Sequence, residues 1–164
     1  MQSTLVLKSW TTEGFEILRQ NNTPDQTLYI GGPESEEKLA DRQRRYMQNS
    51  PGITSMQMIE FGGVLVGSIG YWETVWNNME VYETGWAIVP EFRGRGIARG
   101  ALVALVEHLR PIARHSKLQA YPSIDNIASN ALCRRCGFKF LGEYKVEYPP
   151  GRFFRGNAWE LELI

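Results

Sequence analysis

Residues Val89-Pro90-Glu91-Phe92-Arg93-Gly94-Arg95-Gly96-Ile97-Ala98 join a β-branched and aromatic run to a periodic apolar helix through two glycines. That junction restricts the chain to folds in which a strand delivers the backbone onto the N-terminus of a helix. Glycines at 94 and 96 let the backbone approach a ligand and turn successive N–H groups inward, while the helix adds its dipole and unpaired donors. With Arg93 and Arg95 alongside, the junction suits an anion. Gly94-x-Gly96-x-x-x-Gly100 also reads as a degenerate dinucleotide fingerprint, but it falls past the middle of the chain, and no acidic residue ends a clean following strand where a ribose would need it. A Walker phosphate loop is excluded because no Gly-Lys-Ser/Thr follows. A plain turn with its arginines in solvent is the remaining alternative.

The elements around this junction set its context. Leu5 to Lys8 alternates like a short strand, Gly14 to Arg19 follows a helix start, and Ser35 caps a polar helix that runs to about Gln48. Thr54 to Phe61 and Val64 to Trp72 flank Gly62-Gly63 as a hairpin, and Val81 to Val89 forms a third antiparallel strand after a loop containing Trp76-Asn77-Asn78. Ile97, Ala101, Leu102, Leu105, Leu109 and Ile112 recur at helical spacing, with Pro111 as a kink or restart. Leu118 to Tyr121 reads as a strand, Asn126 to Cys136 as a helix closed by Gly137, and Lys139 to Tyr148 with Ala158 to Leu163 as a final strand pair. The sum is an α/β fold with a mixed, mostly antiparallel central sheet and one right-handed strand-helix-strand crossover at the glycines.

With 164 residues the chain is expected to form one domain, residues 1–164, with a core that needs neither metal nor disulfide. Lysine plus arginine equals aspartate plus glutamate at 18 each, so no net field points to a nucleic-acid or membrane partner. Neither a leader nor a bilayer-length apolar run is visible, which makes the cytoplasm the expected compartment. Cys133 and Cys136 have the spacing of a redox pair but sit at a helix end, and Cys136 reads as a small packing residue. His108 and His115 are too far apart to complete a zinc site with them, so no metal is expected.

The segment Arg93-x-x-Gly96-x-Ala98 preceded by Val-Pro resembles the acyl-CoA pyrophosphate loop of the GNAT superfamily of N-acetyltransferases, and the element order extends that resemblance over nearly the whole chain. Asn126-x-x-Ser129-x-x-Leu132 followed by Gly137-Phe138 is similar to the family's later helix. The resemblance implies splayed middle strands, helices on both sheet faces, and acetyl-CoA as acyl donor. It implies pyrophosphate contacts from Arg93, Gly94, Arg95, Gly96, Ile97 and Ala98, and contacts to the pantetheine arm from backbone groups of Ile88 and Val89, with a bulge aiming one N–H at the thioester. Asn126 and Cys133 would also meet the cofactor, Asn126 serving as helix cap at the same time.

Acetyl transfer to an amine needs a base, because an alkylamine with a pKa of about 10 is mostly ammonium at neutral pH. Glu83, in Tyr82-Glu83-Thr84-Gly85-Trp86, is similar in placement to the acidic residue of many relatives, with Glu73 and Glu80 as alternatives. The acid for the departing thiolate stays open: where many relatives have tyrosine this chain has Cys133, and Tyr121, Tyr144, Ser129 and solvent are further candidates. Within the superfamily, Gly67-Ser68-Ile69-Gly70-Tyr71-Trp72 and the Glu83 segment look most like the branch of ribosomal-protein N-terminal acetyltransferases. Trp72, Trp76, Trp86, Tyr148, Phe153 and Phe154 could wall an aromatic acceptor pocket. The acceptor implied is a small-molecule primary amine, or alternatively a protein N-terminus. A non-catalytic acyl-CoA sensor is the other alternative, and either a monomer or a homodimer is compatible.

Overall fold

The computed structural model describes residues 3–164. One seven-stranded sheet runs in the order β1-β2-β3-β4-β5-β7-β6, with β1 Leu5–Ser9, β2 Thr54–Phe61, β3 Val64–Trp76, β4 Met79–Ile88, β5 Lys117–Ala120, β6 Lys139–Glu147 and β7 Phe153–Glu162. All neighbours are antiparallel except β4 and β5, which are joined by the crossover through α3, Ile97–Leu109. Helices α1, Gly14–Asn21, and α2, Glu36–Tyr46, pack on each other and against β3 and β2. Helix α3 packs against β1, β3 and β4, and α4, Ile127–Arg135, against α3 and β6, so the two helix pairs cover opposite faces.

The apolar stripe of α3 accounts for its place. Ile97, Ala101, Leu102, Leu105 and Leu109 are all buried, at a gain of roughly 1.5–3 kcal/mol for each large side chain removed from water. Gly100 faces Leu5, where an added Cβ would come within 3.1 Å of Cδ1, so the glycine lets helix and sheet close up. Pro111 does not continue the helix: residues Arg110–Ile112 form one 3-10 turn, and Ile112, which the helical spacing assigns to the stripe, is exposed instead because the proline ends the α-helical register. Tyr82, fully buried, locks the chain that follows: its hydroxyl donates to Gly52 O at 2.6 Å and accepts from Arg114 N–H at 2.8 Å.

Two boundaries differ from the sequence expectation. The segment after Trp72 is strand rather than loop, and β3 and β4 pair from Gly67↔Ile88 to Trp76↔Met79 around a two-residue turn. Asn77 and Asn78 supply it with φ of 48° and 64°, the left-handed region that asparagine tolerates better than most residues. Strand β7 begins at Phe153, not Ala158, because residues 153–157 pair with β6 from Phe153↔Glu147 to Asn157↔Glu143.

Candidate active site

Strands β4 and β5 pair over two positions, Tyr82↔Leu118 and Glu83↔Gln119, and then part. Beyond Glu83 the β5 side of β4 is a slot. Val89 N–H donates to Val66 O at 2.8 Å and Val89 O accepts from Phe92 N–H, so both its backbone groups are used. Alternation along an antiparallel ladder then turns the groups of Trp86 and Ile88 toward the slot. Ile88 O accepts from the Gln26 side chain at 2.8 Å, which ties the segment after α1 to the slot's wall. This corrects the sequence reading in two respects: Val89 does not present a free N–H, and β4 reaches Ile88 without a register shift, so no bulge aims one.

The slot leads to the glycine junction. Gly96 caps α3 with φ 75° and Gly94 has φ 74°, and a Cβ built on either meets nothing within 4 Å. The first helical bond is donated by Gly100 to Gly96 O, leaving the N–H groups of Ile97, Ala98 and Arg99 unused by the helix. The cradle therefore combines open space, free donors and a dipole, as a pyrophosphate requires. Arg93 and Arg95 lie exposed at its rim, Arg95 donating to Glu91 O and resting over the Phe92 ring.

Across the slot, Asn126 caps α4 by accepting from Ser129 N–H at 3.2 Å. Cys133 is wholly buried, and burial foremost, with Cys136 nearby, pushes its thiol up to about 12. Its side chain packs in the core from α4. Asn130, which sequence reasoning missed, is buried and joins α4 to β7, donating to Ser123 O and Asn126 O and accepting from Asn157 Nδ2 and Trp159 Nε1. Asn130→Ala is expected to lower stability by about 2–3 kcal/mol, because two donors lose their acceptor, and a fall in the urea midpoint at constant m-value checks it.

Glu83 stands on β4 where the pairing ends, partly buried. Burial raises its carboxyl to about 7, while the indole of Trp72, its cross-strand partner, opposes part of the rise. A carboxylate tuned to neutrality is what a general base for an amine needs. The alternatives lie on the other face of the ribbon, since Glu73 pairs with Tyr82 and Glu80 with Val75. Glu73 is bound to His115 at 2.9 Å, and Glu80 is exposed beside the turn.

Aromatic side chains collect on the Glu83 face. Trp72 lies over Gly85, and Trp76 at the ribbon tip stacks on Tyr121 at 5.4 Å and meets Tyr144 edge-on at 4.6 Å, so the ribbon curls over the second half of the sheet. Trp86 belongs to the opposite face, paired with buried Ile69, and packs against the core. Tyr148 receives a bond from Arg42, and Phe153, at the start of β7, lies under Lys145. Phe154 lines an open hollow of about 410 Å³ with Leu28, Tyr29, Ser123, Asp125 and Arg152. Gln119 and Glu160, linked to Tyr121 beside Glu83, carried no sequence signal beyond polarity within a strand.

Among the described residues no helix is long and apolar enough to cross a membrane, and no group of three or more His, Cys, Asp or Glu could hold a metal. No curated protein matches the chain significantly. Solved structures with the same fold include a Salmonella typhimurium acetyltransferase that modifies the N-terminal serine of a 50S ribosomal subunit protein, 20% identical over 97% of this chain and 95% of that one, TM-score 0.77. Spermidine N-acetyltransferase from Vibrio cholerae, in complex with CoA and spermine, is 18% identical over 97% and 95%, TM-score 0.77. A microcin self-immunity acetyltransferase with acetyl-CoA and AMP is 18% identical over 96% and 92%, TM-score 0.78. The acetyltransferase (GNAT) domain family matches residues 4–139, and with the splayed β4–β5 pair and the glycine cradle this places the chain in the GNAT family, as an N-acetyltransferase whose donor is acetyl-CoA.

Proposed function

We propose that the acceptor is a primary amine of a small molecule, deprotonated by Glu83 and acetylated directly from acetyl-CoA in a ternary complex. The observation that carries this reading is the Glu83 carboxyl, raised to about 7 at the point where β4 and β5 part, beneath Trp72 and near the Trp76–Tyr121 stack. Aromatic faces beside a carboxylate favour a compact cationic amine, which gains from both. In this scheme Arg93 to Ala98 hold the pyrophosphate, Asn126 lies at the opposite rim of the slot, and the N–H groups of Trp86 and Ile88 serve the pantetheine arm and thioester oxygen.

The proton balance is simple. Glu83 takes one proton from the ammonium, the freed lone pair forms the N–C bond, and the nitrogen then sheds a second proton as the C–S bond breaks. The departing sulfur takes up one proton, from that nitrogen or from solvent, so no buried acid is needed. The Cys133 thiol, pushed up to about 12 by burial, is a poor proton donor, and the Tyr121 proton is committed to Gln119.

The open hollow between Tyr29, Asp125 and Arg152 supports a second reading, an extended peptide presenting its N-terminus. Release of free CoA thiol should be followed with 1,4-diaminobutane, tyramine and a hexapeptide with N-terminal serine as acceptors. The small amines are expected to give kcat/KM at least about tenfold above the peptide, a difference of 1.4 kcal/mol in transition-state binding. Reaction with the peptide alone would transfer the assignment to protein N-termini. Acetyl-CoA binding without acceleration by any acceptor would identify an acyl-CoA-binding module.

A further inference from the structure

We infer that Tyr121 engages the acceptor amine as a hydrogen-bond acceptor, with the direction of its hydroxyl fixed from behind by Gln119 and Glu160. This rests on the small-amine reading of the Glu83 site. Gln119 is wholly buried, and its Nε2 donates to Glu160 Oε2 at 2.6 Å. An ionised carboxylate only accepts, so the Gln119 amide must point its nitrogen at Glu160 and its oxygen the other way. That oxygen is the partner of the Tyr121 hydroxyl. A tyrosine has one hydroxyl proton, and here it is spent on Gln119; the remaining lone pairs face away from the chain. Lys117, whose Nζ is 3.5 Å from Glu160 Oε1 and also bound to Glu162, sets a cation at the outer end of this chain.

Tyr121 lies two residues beyond Gln119, past the last β4–β5 pair and on the same face as Glu83, with Trp76 stacked on its ring. The charged groups around its hydroxyl are Glu83 and Glu160. Burial first, and these two carboxyl groups after it, raise its pKa far above that of an ordinary tyrosine, so it stays protonated throughout the working range. An oxygen that presents lone pairs beside the base takes a second N–H of the incoming amine and so holds the nitrogen in the site, while the lone pair freed by proton transfer points first at Glu83 and reaches the thioester carbon by rotation about the amine's C–N bond. Tyr121 is then a substrate-contacting residue, whereas Gln119 and Glu160 are positioning residues that act through it. The same polarity removes Tyr121 from the candidates for the acid that protonates the thiolate.

Steady-state kinetics of Tyr121→Phe, Glu160→Gln and the double variant test this, with tyramine and 1,4-diaminobutane as acceptors. Tyr121→Phe should raise the amine KM by about tenfold to a hundredfold, the usual effect of losing a hydrogen bond to a charged group, while the acetyl-CoA KM and the pH profile of kcat hold. Glu160→Gln should raise the amine KM as well, since a carboxamide can present either end to Gln119, and should add little in the Tyr121→Phe background. A loss confined to kcat, with the alkaline limb of the profile altered, would make Tyr121 the acid and overturn the inference. Equal effects of Glu160→Gln in both backgrounds would overturn the relay, as would an unchanged amine KM in Tyr121→Phe despite normal wild-type transfer. If the wild type acetylates neither amine, the small-amine reading falls first and this inference with it. CoA binding by each variant, read as a thermal shift equal to that of the wild type, shows that the fold and the cofactor site persist.

Discussion

Glu83→Gln is expected to lower turnover by two to four orders of magnitude at neutral pH while leaving acetyl-CoA affinity at its wild-type value. The carboxamide keeps the size of the side chain and removes its capacity to take a proton, and a positioned base contributes about 10²–10⁴ in rate. Because burial holds the Glu83 carboxyl at about 7, wild-type kcat should rise as pH passes through that value. The deficit of the variant should shrink at higher pH, where more of an amine with a pKa of about 10 is already neutral. A uniform loss at every pH would assign Glu83 to positioning. Near-normal turnover would give the role to water, since Glu73 and Glu80 face the other way.

The same substitution should stabilise the fold. A carboxyl raised from 4.5 to about 7 prefers to be protonated in the folded state, so folding bears no cost from it below pH 4.5, an increasing cost between 4.5 and 7, and the full cost above. That rise corresponds to at most about 3 kcal/mol, which Glu83→Gln would recover at pH 8 but not at pH 4. Urea unfolding at the two pH values measures the difference. A base that costs stability is what an acetyl-transfer site needs, because a carboxylate comfortable in its surroundings is too weak to deprotonate an ammonium.

The parts of this site that the sequence displayed are those built from local rules. The glycine pair, the α3 stripe from Ile97 to Leu109 and the Gly62-Gly63 hairpin each depend on neighbours a few residues away, and each stands where its pattern placed it; Ile112, beyond Pro111, does not. The Asn77-Asn78 turn obeys the same rule, but Glu73 and Thr74 masked the alternation leading into it, and with it the ribbon that brings Trp76 over Tyr121. Gln119 and Glu160 are 41 positions apart and meet only because β5 and β7 become neighbours, a pairing no local pattern encodes. Whether Val89 or Ile88 faces the slot turns on register, where one residue reverses the answer.

Gly96→Val should cost about a hundredfold or more in CoA and acetyl-CoA affinity, well beyond the effect of Arg95→Ala. Gly96 has φ 75°, and a Cβ there would meet nothing within 4 Å, so a branched side chain would project from the helix N-terminus into the open space of the cradle. A β-branched residue in the left-handed region costs about 1–2 kcal/mol of folding stability, which a domain of this size withstands. Losing even one charge-assisted bond from the cradle's donors is worth about 1.5–3 kcal/mol of binding, and the side chain obstructs more than one. Arg95 stands at the rim, held by Glu91 O and Phe92, and Arg93 can supply charge in its place. Calorimetric titration with CoA ranks the two variants, and Gly96→Ala, smaller but equally strained, should fall between them. If Gly96→Val folds and binds CoA as the wild type does, the pyrophosphate lies elsewhere; if Arg95→Ala is the weaker binder, charge rather than backbone approach governs recognition.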